Sequence, residues 1–244
     1  MGLNSYFRRK TISNDFGKQN QSIRDQWIIE KLSEIPSQNK LLDVGAGQQP
    51  YKKYCQHLEY VSQDFAAYNP KESPVGLQMK EWEFGDLNII SDIISIPEPD
   101  SSFDAILCSE VIEHVPNPVL ALKELSRLLK KNGYIILTAP FCSLTHFAPF
   151  HYSTGFNRFF YETHLPSFDL QIIEMSPNGD YFEYLAQELY RLDFVAKTYT
   201  DDSLKKKEIK ALNTLINALE KFSKKKQHSN ELLNFGFHIL AQKK

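Results

Sequence analysis

The sequence predicts an α/β fold built on a mostly parallel sheet. Three observations predict it. A short apolar segment, Lys40-Leu-Leu-Asp-Val-Gly-Ala-Gly47, reads as a buried strand running into a glycine turn. Strand-like and helix-like segments then alternate, the pattern that parallel pairing with crossover helices produces. The 244 residues, 42% of them hydrophobic, are enough for one substantial core.

Residues 1–17 read as a loose polar leader. An amphipathic helix follows, marked by Ile23, Trp27, Ile28, Leu32 and Ile35 and closed by Pro36. After the glycine turn, Tyr51 to His57 predict the start of a second helix, and Glu59 to Asp64 a second strand. Residues 66–84, rich in Pro, Lys and Glu, read as an irregular connection. Strands are expected at Ile89 to Ile96, Phe103 to Ser109 and Tyr134 to Thr138. Between the last two lies a well-punctuated helix: Asn117 can cap it, Pro118 occupies its first turn and Gly133 follows its end. Its buried stripe is Val119, Leu122, Leu125 and Leu129. Residues 141–165, dense in aromatics, His, Pro and Gly, break the rhythm. Leu170 to Met175 is a further strand, 179–199 and 204–223 read as helices, and Phe235 to Ala241 alternates as a closing strand. One domain over 1–244 is expected, with a leader and helix over 1–36 and a helical insertion over 176–233.

Composition narrows the function. With 28 Lys and Arg against 30 Asp and Glu, the net charge of −2 provides no field that gathers nucleic acid. The lysine runs at 205–207 and 224–226 read as solvated helix faces or ends. Cys55, Cys108 and Cys142 are far apart and lack metal-site spacing, so neither a disulfide framework nor a metal is expected and a cytoplasmic, reducing location fits. The first residues lack an apolar core, and position 6 is Tyr where a myristoylation pattern wants Ser or Thr. No apolar run approaches the ~20 residues of a membrane helix, so no integral membrane association is expected.

The chemistry concentrates at Asp43-Val-Gly45-Ala-Gly47-Gln-Gln-Pro50. A glycine turn lets backbone approach a ligand where a Cβ would obstruct it. Pro50 stands where a dinucleotide fold would place its third glycine, and Asp43 precedes the first glycine, where it would oppose a pyrophosphate but suit an ammonium group. The plainer reading of Asp43 is a hydrogen bond to turn amides. Asp64, about 20 residues on, ends the second strand at the distance from which a carboxylate reaches ribose hydroxyls; the alternative is a turn-forming Asp.

Leu41 to Pro50, Ser91 to Val115 and Leu125 to Pro140 together resemble the class I S-adenosylmethionine-dependent methyltransferases, in the branch with a D-x-G-x-G-x-x-P turn and an E-x-x-E-H-V segment. The resemblance covers roughly 38–175 and the final strand. It implies a Rossmann-like, seven-stranded, mostly parallel sheet with an antiparallel last strand, helices on both faces and a helical insertion before that strand. It also implies S-adenosyl-L-methionine as cofactor. Gly45, Ala46 and Gly47 would then face the methionyl part, with Asp43 near its ammonium. Asp64 would take the ribose, Phe65 would cover the adenine, Asp92 would accept from the adenine amino group and Ile93 would flank the ring. Ser109 and Glu110 would border cofactor and acceptor.

Transfer to a hydroxyl needs a base. His151 and His146 are the catalytic candidates, because this fold presents its acceptor side after the fifth strand; His114 is expected beside the cofactor or capping a strand, not as a base. Packing or surface histidines are the alternative for each. The expected acceptor is a small polar molecule, methylated at oxygen, with a saccharide or metabolite hydroxyl preferred. A nicotinamide-dependent oxidoreductase and a non-catalytic protein keeping the fold are the competing readings. The aromatic-rich stretch from Tyr181 to Tyr190 admits three roles: a lid over the acceptor, a homodimer face, or packing on the sheet.

Overall fold

The structure, a computed structural model, describes residues 15–225 and 228–244; the expected leader lies outside the described residues up to position 14, as does the last lysine of the second basic run. Seven strands form one sheet in the order β3-β2-β1-β4-β5-β7-β6. They are β1 (Lys40–Val44), β2 (Glu59–Asp64), β3 (Ile89–Ile90), β4 (Phe103–Ser109), β5 (Leu129–Pro140), β6 (Leu170–Asn178) and β7 (Gly236–Lys243). The first five pair in parallel, and β7 runs antiparallel to both β5 and β6. This is the Rossmann-like arrangement expected from the sequence.

Alternation within the strands sends side chains to two layers. On one face Phe103, Ile106 and Cys108 of β4 and Ile135, Leu137 and Ala139 of β5 join Leu122 and Leu125 of α2 (Pro118–Leu128) and Tyr161 and Leu165 of α3 (Arg158–Ser167). On the other, Leu41, Ala105, Leu107 and Ile136 meet Ile28 and Leu32 of α1 (Asn20–Glu34). Helices therefore cover both faces. Trp27 fastens α1 to the β6–β7 end of the sheet, stacking on His238 at 5.0 Å and donating to Glu174 at 2.8 Å.

Several boundaries differ from expectation. The helix expected from Tyr51 shrinks to a 3-10 turn over Lys52–Tyr54. Tyr51 turns inward there, donating its hydroxyl to Asp25 of α1 at 2.7 Å. The strand expected over Ile89 to Ile96 stops after two residues, because the Asp92 carboxylate captures the Ile94 amide at 3.1 Å and bends the chain. Gly133 does not cap α2: the helix ends at Leu128 and β5 starts at once, and Gly133 lies inside that strand, where a Cβ would press on the Asp104 carbonyl at 2.8 Å. Finally, α3 occupies a stretch read as irregular, with the Asn157 side chain accepting from the Phe160 amide at its start.

Two helices, α4 (Tyr181–Thr200) and α5 (Lys206–Ser223), form a hairpin between β6 and β7. Asp180 caps α4 through the amides of Phe182 and Glu183. Ala186 and Tyr190 pack on Leu212, Ile216 and Leu219, so part of the aromatic stripe is spent on a small core within the hairpin itself. Among the described residues no helix is long and apolar enough to cross a membrane.

Candidate active site

The predicted cofactor residues gather at the carboxyl ends of β1, β2, β3 and β4, where an open parallel sheet presents its crevice. Gly45 and Gly47 both adopt left-handed backbone, φ +63° and +51°. A Cβ on Gly45 would lie 2.5 Å from Val111, and one on Gly47 would lie 2.9 Å from the Trp82 ring. Only glycine fits either position. The Gly47 amide donates to Asp64 Oδ2 at 2.9 Å and the Ala66 amide to Oδ1 at 2.8 Å, so two backbone groups aim this carboxylate at the turn.

Asp43 is 3% exposed, and the Tyr60 hydroxyl donates to its Oδ2 at 2.5 Å. Burial pushes its pKa up to about 7, opposed by the Tyr60 hydrogen bond and reinforced by the charge of Asp64. A carboxyl held at the edge of ionisation suits a cationic ligand, which would compensate its buried charge. Asp92 is exposed beyond β3, close to Asp64, whose carbonyl accepts from the Ser91 amide at 3.1 Å. Phe65 is 55% exposed and meets Phe150 edge-on at 6.0 Å. Ile93, by contrast, belongs to the main core. Ser109 shares a hydrogen bond with Thr138 at 3.0 Å. The cradle that two Cβ atoms would fill, with its paired acids, fits an adenosyl amino acid.

The segment after β5, where the acceptor is expected from the sequence, packs beside the turn that follows β4. Val111 abuts Gly45, and the 3-10 turn Ile112–His114 carries the chain from there to His114. The His114, His146 and His151 rings cluster, with centroids 4.7 Å (114–146), 4.8 Å (146–151) and 6.0 Å (114–151) apart. Burial is the main cause holding each below the usual histidine range, His114 at about 3 and His146 at about 4. His151 Nε2 lies 3.2 Å from the Ser143 hydroxyl. Phe147 packs against His114 at 5.3 Å, against Trp82 at 5.1 Å and against Tyr68 at 4.4 Å, so the irregular 66–84 connection closes over the turn.

Sequence reasoning assigned no role to four residues of this region: Tyr60, Trp82, Glu113 and Arg24, whose Nη1 pairs with Glu110 at 2.7 Å. Tyr60 sits one strand away from Asp43 and Arg24 on a helix far upstream, so neither left a local signal. Glu113 stood inside the E-x-x-E-H segment and could have been singled out there. A separate groove of about 580 Å³, lined by Leu120, Lys123, Arg127, Phe168 and Lys243 among others, includes none of the predicted site residues.

Residues 42–137 match the family model described as a methyltransferase domain. Over those residues the chain carries a methyltransferase domain. This sets aside the nicotinamide reading of the glycine turn. Among curated proteins, the uncharacterized methyltransferase YcgJ of Bacillus subtilis is 25% identical over 132 residues, 51% of this chain and 47% of its own length. The ubiquinone biosynthesis O-methyltransferase of Xanthomonas oryzae is 44% identical over 41 residues, 17% of either chain. The chain thus spans less than half the length of these curated relatives. A solved S-adenosylmethionine-dependent methyltransferase from Archaeoglobus fulgidus shares the fold, with TM-score 0.53 and 16% identity over 92% of this chain and 94% of that one.

Proposed function

We propose that this protein methylates a small polar acceptor at oxygen, a saccharide or metabolite hydroxyl, using S-adenosylmethionine. The observation that carries the reading is the cluster of neutral imidazoles joined through Val111 to the glycine turn. Bound there, the cofactor would supply its sulfonium methyl: the acceptor oxygen takes the methyl, the carbon–sulfur electron pair returns to sulfur, and the hydroxyl proton is left for a base. In this reading Asp43 holds the ammonium, Gly45, Ala46 and Gly47 line the methionyl part, Asp64 takes the ribose, and Phe65 and Asp92 border the adenine. Ser109 stands between cofactor and acceptor.

His151 serves as the base, because it is the least buried of the three rings and is oriented by Ser143. His146 stands beside it. The named activity of the Xanthomonas relative, an O-methyltransferase, supports oxygen as the target over its short match. A cytoplasmic location is supported by three free cysteines, two of them buried.

The test is transfer of a radiolabelled methyl group from S-adenosylmethionine to a panel of saccharides, phenols and hydroxy acids. Labelled ether product is expected. Tight retention of S-adenosylhomocysteine with no transfer to any hydroxyl, amine or carbon acceptor would overturn the reading in favour of a non-catalytic protein.

A further inference from the structure

We infer that Glu113, His114 and His146 form a binding site for one divalent transition-metal ion beside the cofactor turn. One ligand atom from each residue lies within 4.8 Å of the other two. Two independent features point to a cation there.

Glu113 is fully buried, and neither of its carboxylate oxygens has a hydrogen-bond partner among the described residues. Native interiors rarely leave such a group unmatched. A metal ion would supply what the protein does not.

Both imidazoles are already set as ligands. His114 Nδ1 lies 2.6 Å from the Phe150 carbonyl, and His146 Nδ1 lies 2.8 Å from the Leu144 carbonyl. A carbonyl oxygen only accepts, so each Nδ1 carries the proton and each Nε2 presents a lone pair. This is the outer-shell arrangement that fixes metal-binding histidines. The His114 Nε2 faces Glu113 Oε1 at 3.6 Å, too far for a hydrogen bond, so neither atom satisfies the other.

The donor set, two imidazole nitrogens and one carboxylate oxygen, favours Zn²⁺ and its first-row neighbours over Mg²⁺ or Ca²⁺, which prefer all-oxygen surroundings. Ligands on one ion with bonds of about 2.1 Å sit roughly 3–4 Å apart. Binding therefore draws the three atoms inward, which the loop bearing His146 can accommodate.

A role for the ion in catalysis rests on the proposed transfer to a hydroxyl. A coordinated acceptor oxygen would lose its proton more easily, with His151, 4.8 Å from His146 by ring centroid, placed to receive it.

The test is calorimetric titration of the chelator-stripped full chain with ZnCl₂, and separately with MnCl₂ and MgCl₂, without cofactor. One equivalent of Zn²⁺ is expected, bound at least tenfold more weakly by His146→Ala and by Glu113→Gln. His146 sits on a partly exposed loop, so its variant keeps the fold even if the buried Glu113→Gln does not. Failure of the wild-type chain to take up Zn²⁺ stoichiometrically, or equal affinity in His146→Ala, would overturn the site. Stoichiometric Zn²⁺ binding without transfer to any hydroxyl would keep the site and overturn the O-directed reading. Chelator-insensitive transfer by a chain that binds no Zn²⁺ would do the reverse.

Discussion

The Tyr60 hydroxyl donates a 2.5 Å hydrogen bond to the buried Asp43 carboxyl, across the pairing of β2 with β1. The bond tempers an ionisation that burial has otherwise raised to about 7. In the free protein a carboxyl with a raised pKa contributes stability that is complete below its unfolded value, near 4, and lost as pH rises through about 7.

Ligand binding runs the opposite way. If Asp43 meets the cofactor's ammonium, it must ionise, so affinity for S-adenosylhomocysteine should weaken about tenfold from pH 8 to pH 6. Asp43→Asn should flatten that profile and bind weakly throughout. Without ligand the same variant should be more stable than the parent at pH 8, by an amount of the order of 2–4 kcal/mol. Calorimetry and thermal melts across pH read both. A pH-independent parent affinity would separate Asp43 from the ammonium.

Gly45→Ala combines two penalties. The left-handed backbone costs a non-glycine residue about 1–2 kcal/mol, and the new methyl collides with Val111. The expected result is a melting temperature lower by at least several degrees, with weaker cofactor binding. Adding Val111→Ala should restore the steric part only. Full recovery in the double variant would show that backbone conformation contributes nothing.

Much of this fold was legible because its signals are local. The β1 strand leads straight into a glycine turn. Asn117 and Pro118 announce α2, where the Asn117 side chain does accept from the Leu120 amide at 3.1 Å. The failures came where tertiary contacts decide. Tyr51 is drawn to Asp25, so a helix became one turn. Ile93 and Ile96 look like strand residues but reach the core from a bend. The aromatic run Phe159 to Tyr161 obscured α3, although Asn157 offered the same capping signal as Asn117. At the site, strand-end acids and glycines could be read from spacing, whereas Tyr60, Trp82 and Arg24 arrive from other elements.

His151→Ala should lower methyl transfer by about 10²–10⁴-fold if His151 is the base. Binding of S-adenosylhomocysteine should stay within twofold, since His151 contacts Ser143 and the other histidines but none of the predicted cofactor residues. Turnover equal to the parent under saturating acceptor would assign the proton to another group.

Arg24 and Glu110 form an ion pair between α1 and the end of β4, with side chains 17% and 29% exposed. Glu110 also accepts from Thr138 at 3.1 Å. Arg24→Leu should cost about 1–3 kcal/mol, the usual worth of a hydrogen bond to a charged group. Combining it with Glu110→Gln should recover part of that loss, as a double-mutant cycle in chemical denaturant would show. Strict additivity would mean that the two charges do not communicate.

Because β7 is wedged between β5 and β6, the outermost strand reaches the rest of the sheet only through a segment encoded about a hundred positions after β5. While the ribosome is still producing the α4–α5 hairpin, β5 must wait with a row of open amides and carbonyls along an Ile- and Leu-rich border. Unfinished borders of this kind recruit strands from other molecules. Slow synthesis or a truncating lesion before Gly236 should therefore send this chain toward inclusion bodies.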